Sequence, residues 1–177
     1  MPSQPTLRPF DIAVALRLLI SPEERYEPLA DALVTSTSAV HRSVARLQLA
    51  GLCQRATRTV ARAELHEFLL HGVRFAFPPV IGGERAGLPT TVAHPELGLL
   101  FPDGADSKPL VWGSDLGAVR GETLAPLFPG VPAVASRDAR LHELLAAVDV
   151  LRVGTERERR IVGDWFADRM LGTRVTS

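Results

Sequence analysis

Apolar residues recur at helical spacing in three successive segments near the start of the chain. The first segment covers residues 8–20 (RPFDIAVALRLLI) and the second covers residues 28–33. In the third, Val40, Val44 and Leu47 follow the i, i+4, i+7 spacing that places them on one face of a helix. The pattern therefore predicts three helices, the third with a clear buried seam.

Small polar residues and glycine indicate where these helices begin and end. Ser36 is a good N-cap for the third helix, and a tight turn at Val34 and Thr35 precedes it. Gly51 follows that helix, where glycine readily adopts the left-handed conformation. Residues 21–24 (SPEE) have the composition of a capping box, which predicts a short turn of helix before the second helix. The tight turn at Val34 and Thr35 predicts a short connection between the second and third helices.

The middle of the chain is less regular. Residues 61–72 predict a fourth helix, and the alternation in residues 73–77 (VRFAF) predicts a strand. Nine of the 14 prolines and nine of the 14 glycines lie in residues 78–136. Within that segment, residues 110–112 and 118–120 flank GSDLG, which predicts a hairpin.

The C-terminal part returns to helical spacing. A helix is predicted over residues 138–153, followed by a break at Gly154 and a last helix that begins with a Thr155-x-x-Glu158 capping box. On the last helix, Trp165 and Phe166 mark either core or a dimer interface. Together these elements predict a mainly α fold with a small β component, of the α+β class.

Charge is unevenly distributed, although the net charge is zero. Residues 32–63 contain five arginines and no acidic residue, whereas residues 64–136 carry four basic and eight acidic residues. A local positive field attracts a polyanion even when the total charge is neutral. The acid-free segment contains the third helix, so this helix is a candidate DNA-reading element.

The third helix carries side chains suited to the major groove. Thr37 and Ser38 are small enough to let the backbone approach base edges, and His41 and Arg42 are long enough to reach them. Ser36 and the helix N-terminus offer N–H groups to a phosphate. Further phosphate contacts are predicted from the four remaining arginines of the segment: Arg46, Arg55, Arg58 and Arg62.

Leu49 falls on the face of the third helix that carries Ser38 and Arg42, opposite the apolar seam. A purely solvated face would not favour a leucine there. We predict that it packs on the next helix or on a partner chain.

Residues 29–52 (LADALVTSTSAVHRSVARLQLAGL) resemble the helix-turn-helix of bacterial winged-helix regulators of the MarR-like and Lrp-like kind. The shared pattern is Leu-Ala-x-x-Leu, a turn with serine, Val-x-x-x-Val-x-x-Leu and Gly-Leu. The resemblance implies a transcriptional regulator that binds double-stranded DNA as a homodimer and represses its own operon. Residues 53–62 are too short for the usual wing, which is either a stub around Arg55 and Arg58 or absent.

This interpretation divides the chain into two regions. Residues 8–62 form the DNA-binding domain, and residues 63–177 serve dimerisation, effector binding or partner binding. The alternative is an antitoxin-like or adaptor protein whose C-terminal region binds a partner encoded nearby, with DNA binding secondary. An adaptor does not require an acid-free segment, so we favour the regulator.

The sequence carries little that predicts catalysis, a cofactor or a metal. The single cysteine, Cys53, excludes an internal disulfide, and a buried structural thiol is preferred over a redox-sensing thiol near Arg55. The five histidines are scattered, and His66 and His71 are five residues apart rather than the four of a helical metal pair. With neither a secretory signal nor a membrane span apparent, we expect a cytoplasmic protein.

Overall fold

The computed structural model describes residues 6–22 and 25–172, so the predicted capping box at residues 21–24 lies partly outside them. Across these residues no helix combines the length and apolar character needed to cross a bilayer. The helices are α1 Pro9–Ile20, α2 Tyr26–Ala32, α3 Thr37–Leu49, α4 Arg62–His71, α5 Val73–Ala76, α6 Pro95–Gly98, α7 Val131–Ala135, α8 Ala139–Val153 and α9 Glu156–Leu171. The strands are β1 Ile81–Thr90, β2 Leu110–Gly113 and β3 Val119–Leu124. The prediction of a mainly helical fold with a small β component is confirmed.

The cap signals around α3 correspond to hydrogen bonds. The Ser36 hydroxyl accepts the Ala39 N–H at 3.2 Å, as expected of an N-cap. At the other end Gly51 has φ of +77°, and the Leu52 N–H donates to the Leu47 carbonyl at 2.9 Å. This pairing is the Schellman motif, so the glycine is required for its left-handed backbone.

The predicted strand at residues 73–77 is wrong, because the chain forms the short helix α5 there. The amide of Phe77 donates to the carbonyl of Val73 at 2.9 Å. Val73 is fully buried and Phe77 is half-buried, whereas Phe75 between them is exposed. Apolar positions four residues apart fit one helix face as well as they fit alternation, and over five residues the two periods cannot be separated.

The predicted hairpin of residues 110–120 is also wrong in its pairing. The strands β2 and β3 exist, but they pair with each other in parallel, and each pairs antiparallel with β1. The three strands thereby close into a small barrel. Gly87 on β1 faces both Gly113 and Val119, and a Cβ there would collide with the Trp112 carbonyl. The close approach of the three strands at position 87 therefore requires glycine.

Helix α8 is the centre of the fold. It packs against α1, α9, the barrel and most of the shorter helices, and it is buried along much of its length. One continuous set of buried apolar side chains extends from α1 to α9, so the two predicted regions share a core. Trp165 and Phe166 both belong to this core, which is the first of the two roles predicted for them.

A buried polar cluster joins α8 to the barrel. Asp149 accepts hydrogen bonds from the Thr90 hydroxyl at 2.9 Å, the Trp112 indole N–H at 2.7 Å and the Arg152 guanidinium at 2.7 Å. Arg152 also donates to the Phe77 carbonyl at 2.9 Å. Burial raises the pKa of Asp149, whereas Arg152 and the other two donors lower it. The net direction for the pKa is upward, and the three donors are the arrangement that favours the ionised form of the carboxylate.

Two histidines that are far apart in sequence meet beside this cluster. The His94 and His142 rings lie edge to face with centroids 4.5 Å apart, and His142 bonds to the Pro89 carbonyl through Nε2 at 2.8 Å. Burial and the neighbouring His142 lower the pKa of His94 to about 4. Burial also lowers the pKa of His142. Both rings are therefore neutral near pH 7.

Acidification is expected to destabilise the protein through this pair. The unfolded histidines bind protons near pH 6.5, whereas folded His94 does so only near pH 4. The contribution to stability is thus complete above pH 6.5 and is lost as the pH falls toward 4, on the order of 2 kcal/mol. Urea titrations at pH 7.5, 6, 5 and 4 measure this loss. The His94→Gln variant should show a smaller loss over that range than His41→Gln, and equal losses would contradict the prediction.

Candidate nucleic-acid interface

Helices α1 and α2 both pack against α3, and the apolar side chains of all three helices are part of the core. Between α2 and α3 the chain turns in four residues, with Val34 in the left-handed region at φ of 51°. The Thr35 N–H donates to the Ala30 carbonyl at 2.9 Å, which closes the end of α2. The predicted tight turn is confirmed, and it fixes the direction in which α3 leaves α2.

Buried Asp11 ties α1 to α3. Its carboxylate accepts the Arg8 backbone N–H at 2.8 Å and the Ser43 hydroxyl at 2.7 Å. It also accepts two hydrogen bonds from Arg46, at 2.8 Å from Nε and 2.6 Å from Nη2. These bonds hold α3 against the first turn of α1 and thereby set which face of α3 is presented to solvent.

The face of α3 turned away from this contact is polar and free of acidic residues. The predicted DNA-reading residues on it are all exposed: Ser36, Thr37, Ser38, His41 and Arg42. Leu49 is on the same side and is 56% exposed, so the prediction that it packs on the next helix is wrong. Its packing on a partner chain stays a prediction.

Tyr26, at the start of α2, touches two of the predicted site residues. Its ring stacks on His41 with centroids 3.6 Å apart and an interplanar angle of 22°. The Arg58 guanidinium lies 4.5 Å from the centre of the same ring. Sequence patterning did not single out Tyr26, because a lone aromatic residue in a first turn carries no signal of its tertiary neighbours. The contacts bring α2, α3 and the segment after α3 together.

That segment is a short hairpin. Cys53 and Val60 form an antiparallel bridge, and the Gln54 N–H donates to the Thr59 carbonyl at 2.8 Å. Arg58 has φ of 56°, and its N–H donates to the Gln54 carbonyl at 3.1 Å to close the turn. The segment around Arg55 and Arg58 is thus a short hairpin, and its role as a reduced wing stays a prediction.

The five arginines of the acid-free segment are in different environments. Arg46 is bound to Asp11, and Arg62 donates to the Met170 carbonyl at the end of α9 at 3.3 Å. Both guanidinium groups therefore have internal partners. Arg42 and Arg55 are exposed, and neither side chain bonds to any described residue. Fewer of these arginines than the sequence predicted are therefore free of internal partners, and their contact with phosphate stays a prediction.

The environment of Cys53 agrees with the structural thiol that the sequence favoured. The side chain is buried, and burial raises the pKa of its thiol while Arg58 lowers it. A thiol with a raised pKa is a weak nucleophile. Within residues 6–22 and 25–172, no three histidine, cysteine or acidic side chains are arranged to hold a metal ion.

No protein-family model, curated protein or solved structure matches the chain. The resemblance of residues 29–52 to winged-helix regulators therefore stays a prediction. What the protein does is inferred from the exposed face of α3 and the hairpin beside it.

Proposed function

We propose that the protein is a DNA-binding transcriptional regulator that places α3 in the major groove. The observation that carries this proposal is the solvent-facing N-terminal half of α3, which is polar, free of acidic residues and held beside an arginine-bearing hairpin. A helix of this kind presents short side chains first and longer donors one turn later, as groove readers do. The proposal extends to the winged-helix class that residues 29–52 resemble.

Sequence selectivity is assigned to the first two turns of α3. Thr37 and Ser38 leave room for the backbone to approach the bases, and the exposed Arg42 can donate two hydrogen bonds to the acceptors of a guanine. His41 keeps its stack on Tyr26, so it reads through the exposed edge of its ring. Arg42 is therefore the main base-reading residue.

Affinity is assigned to contacts with the phosphate backbone. The first-turn N–H groups of α3 point out of the helix end, and a helix N-terminus favours an anion. Arg55 is exposed on the hairpin next to α3, and the half-buried Arg58 lies beside it against the ring of Tyr26. Because Arg46 and Arg62 are bonded internally, we leave them out of the phosphate contacts.

The regulator is proposed to act as a homodimer. Two copies of α3 would bind two half-sites about one helical turn apart, roughly 34 Å, on a near-palindrome. Exposed Leu49, near the end of α3, is a candidate for contact between copies. Autorepression follows from the same geometry if the operator overlaps the promoter of the protein's own gene.

Two arginine variants separate base reading from phosphate binding. Arg42→Ala should relax sequence preference by ~1–3 kcal/mol, because a bidentate base contact is lost. Arg55→Ala should weaken all duplexes about equally and lower the salt dependence by about one phosphate contact. Fluorescence anisotropy with specific and shuffled duplexes measures both effects. Arg120→Ala, an exposed arginine on β3, is the matched control and should bind as wild type does.

A partner-binding adaptor is the second candidate, and one observation favours it. Three large apolar side chains close together in the chain are exposed at α5 and the start of β1: Phe75, Val80 and Ile81. Large exposed apolar side chains are typical of protein–protein contact where they adjoin on the surface. An adaptor of this kind, antitoxin-like in function, would leave DNA affinity unchanged when Arg42 is replaced.

A further inference from the structure

A cleft opens between α4 and α9. The two helices run antiparallel, because Arg62 at the start of α4 reaches the Met170 carbonyl at the end of α9. Midway along the pair, His66 bonds to the Gly163 carbonyl through Nε2 at 3.1 Å. A Cβ at Gly163 would collide with Leu70, so glycine allows this close approach. Residues of α4, α5 and α9 around this contact line a cavity of about 1000 Å³.

The lining of the cleft is rich in cations. Four arginines contribute to it, together with His66 and His71, against two carboxylates. The arginines are Arg74 from α5 and Arg157, Arg159 and Arg160 from the first turns of α9. Leaving the histidines aside, the lining side chains carry a net charge of +2, which is four cations less two anions.

Several of these guanidinium groups retain free donors. Arg74 Nε is buried without a hydrogen-bond partner. The exposed Arg160 makes no hydrogen bond or ion pair with the part of the chain that the structure describes. Arg157 uses Nη1 to reach the Gly104 carbonyl at 3.2 Å and the Asp106 carboxylate at 3.4 Å, and Arg159 is turned back to the Gly154 carbonyl. A buried N–H without a partner is costly, and an anion in the cleft would satisfy it.

We propose that this cleft binds a small ligand that carries phosphate groups. Arg74 and Arg160 would hold the phosphate oxygens by charge-assisted hydrogen bonds, since guanidinium matches phosphate geometry. The ligand's remaining part would lie along α9 toward the two carboxylates. This site uses none of the residues assigned to DNA binding, so a test of ligand binding here does not depend on that function.

The carboxylates decide between a small ligand and a nucleic acid. Glu156 and Asp164 both line the cleft and are exposed. Duplex DNA presents a negative charge about every 1.7 Å, and these phosphates would be repelled by the two carboxylates. A compact ligand with one anionic end and hydroxyl or amino groups elsewhere can donate to them instead. The mixed lining therefore fits a phosphate ester better than an extended polyanion.

Isothermal titration with inorganic pyrophosphate at constant ionic strength tests the proposal. The wild type should bind, and Arg74→Gln and Arg160→Gln should each bind at least about tenfold more weakly, the loss typical of a hydrogen bond to a charged group. Asp164→Asn should bind about threefold more tightly, because removing an exposed like charge has an effect of that size. Arg140→Gln, an exposed arginine on α8, is the matched control and should leave the affinity unchanged.

Two results would overturn the proposal: the wild type does not bind pyrophosphate at millimolar concentration, or Arg140→Gln weakens binding as much as Arg160→Gln does. In the first case, a lower affinity of Arg160→Gln for duplex DNA would identify the cleft as a DNA contact instead. Because Arg160 is exposed, its replacement should leave folding intact. A circular dichroism melt of each variant checks this.

Discussion

Replacing Asp149 by alanine should lower the free energy of unfolding by about 3–5 kcal/mol, the cost of breaking a buried ion pair from one side. The side chain is almost completely buried, and it accepts hydrogen bonds from Thr90, Trp112 and Arg152. Without it the buried Arg152 guanidinium loses its counter-charge. The barrel would also lose two of its hydrogen bonds to α8, from Thr90 and Trp112, so this variant should be the least stable of those considered.

Urea denaturation measures this effect directly. Asp164→Ala provides the control, since it removes a carboxylate from an exposed position on α9 and should change stability by less than about 0.5 kcal/mol. A loss below about 1 kcal/mol for Asp149→Ala would mean that the buried cluster contributes little. The shift of the indole fluorescence should also report on Trp112, whose N–H loses its acceptor.

Replacing Asp11 by alanine should cost about 2–4 kcal/mol and should also weaken DNA binding. The carboxylate is fully buried and joins Arg8, Ser43 and Arg46. Its removal leaves the Ser43 hydroxyl and the Arg46 guanidinium without an acceptor. The estimate is lower than for Asp149, because the Arg46 side chain is 17% exposed and water can reach it.

A double-mutant cycle tests whether Arg46 is a structural partner or a phosphate contact. If Arg46 serves mainly to hold Asp11, Asp11→Ala and Arg46→Ala together should destabilise the protein by less than the sum of the single changes. Additive losses would contradict the pairing. Arg46→Ala that lowers DNA affinity with unchanged stability would restore the role predicted from the sequence.

The long helices could be predicted from the sequence to within a few residues. In α3, α8 and α9 a periodic apolar face coincides with a side-chain cap, Ser36, Asp138 and Thr155 respectively. Two independent local signals agree there, and local signals are what a single sequence displays. The exposed face of α3 follows from the same periodicity, since it is the side opposite the buried seam.

The barrel could not be predicted, because its strands depend on distant partners. Strand β1 (IGGERAGLPT) has few apolar residues, and its first half is exposed. It is a strand because it pairs with β2 and β3, which follow it by at least 20 residues. The parallel pairing of β2 with β3 likewise depends on β1, because β1 pairs antiparallel with both of these strands. No local pattern of residues carries that information.

The composition of the site was only partly predictable for a related reason. The sequence shows five arginines without acidic neighbours, and this suggested five free cations. In the structure the partner of Arg46 lies 35 positions away and the partner of Arg62 lies 108 positions away. Charge counted along the chain therefore overestimates the charge that is available to a ligand.

Binding of the DNA upstream of the protein's own gene tests the central claim most directly. Fluorescence anisotropy should show tighter binding to that duplex than to a shuffled one. With two arginines per copy assigned to phosphate, Arg55 and Arg58, the logarithm of the affinity of a dimer should fall with the logarithm of salt concentration at a slope of roughly −4. Equal affinity for both duplexes, or no binding at low salt, would contradict the proposal that α3 is a recognition helix.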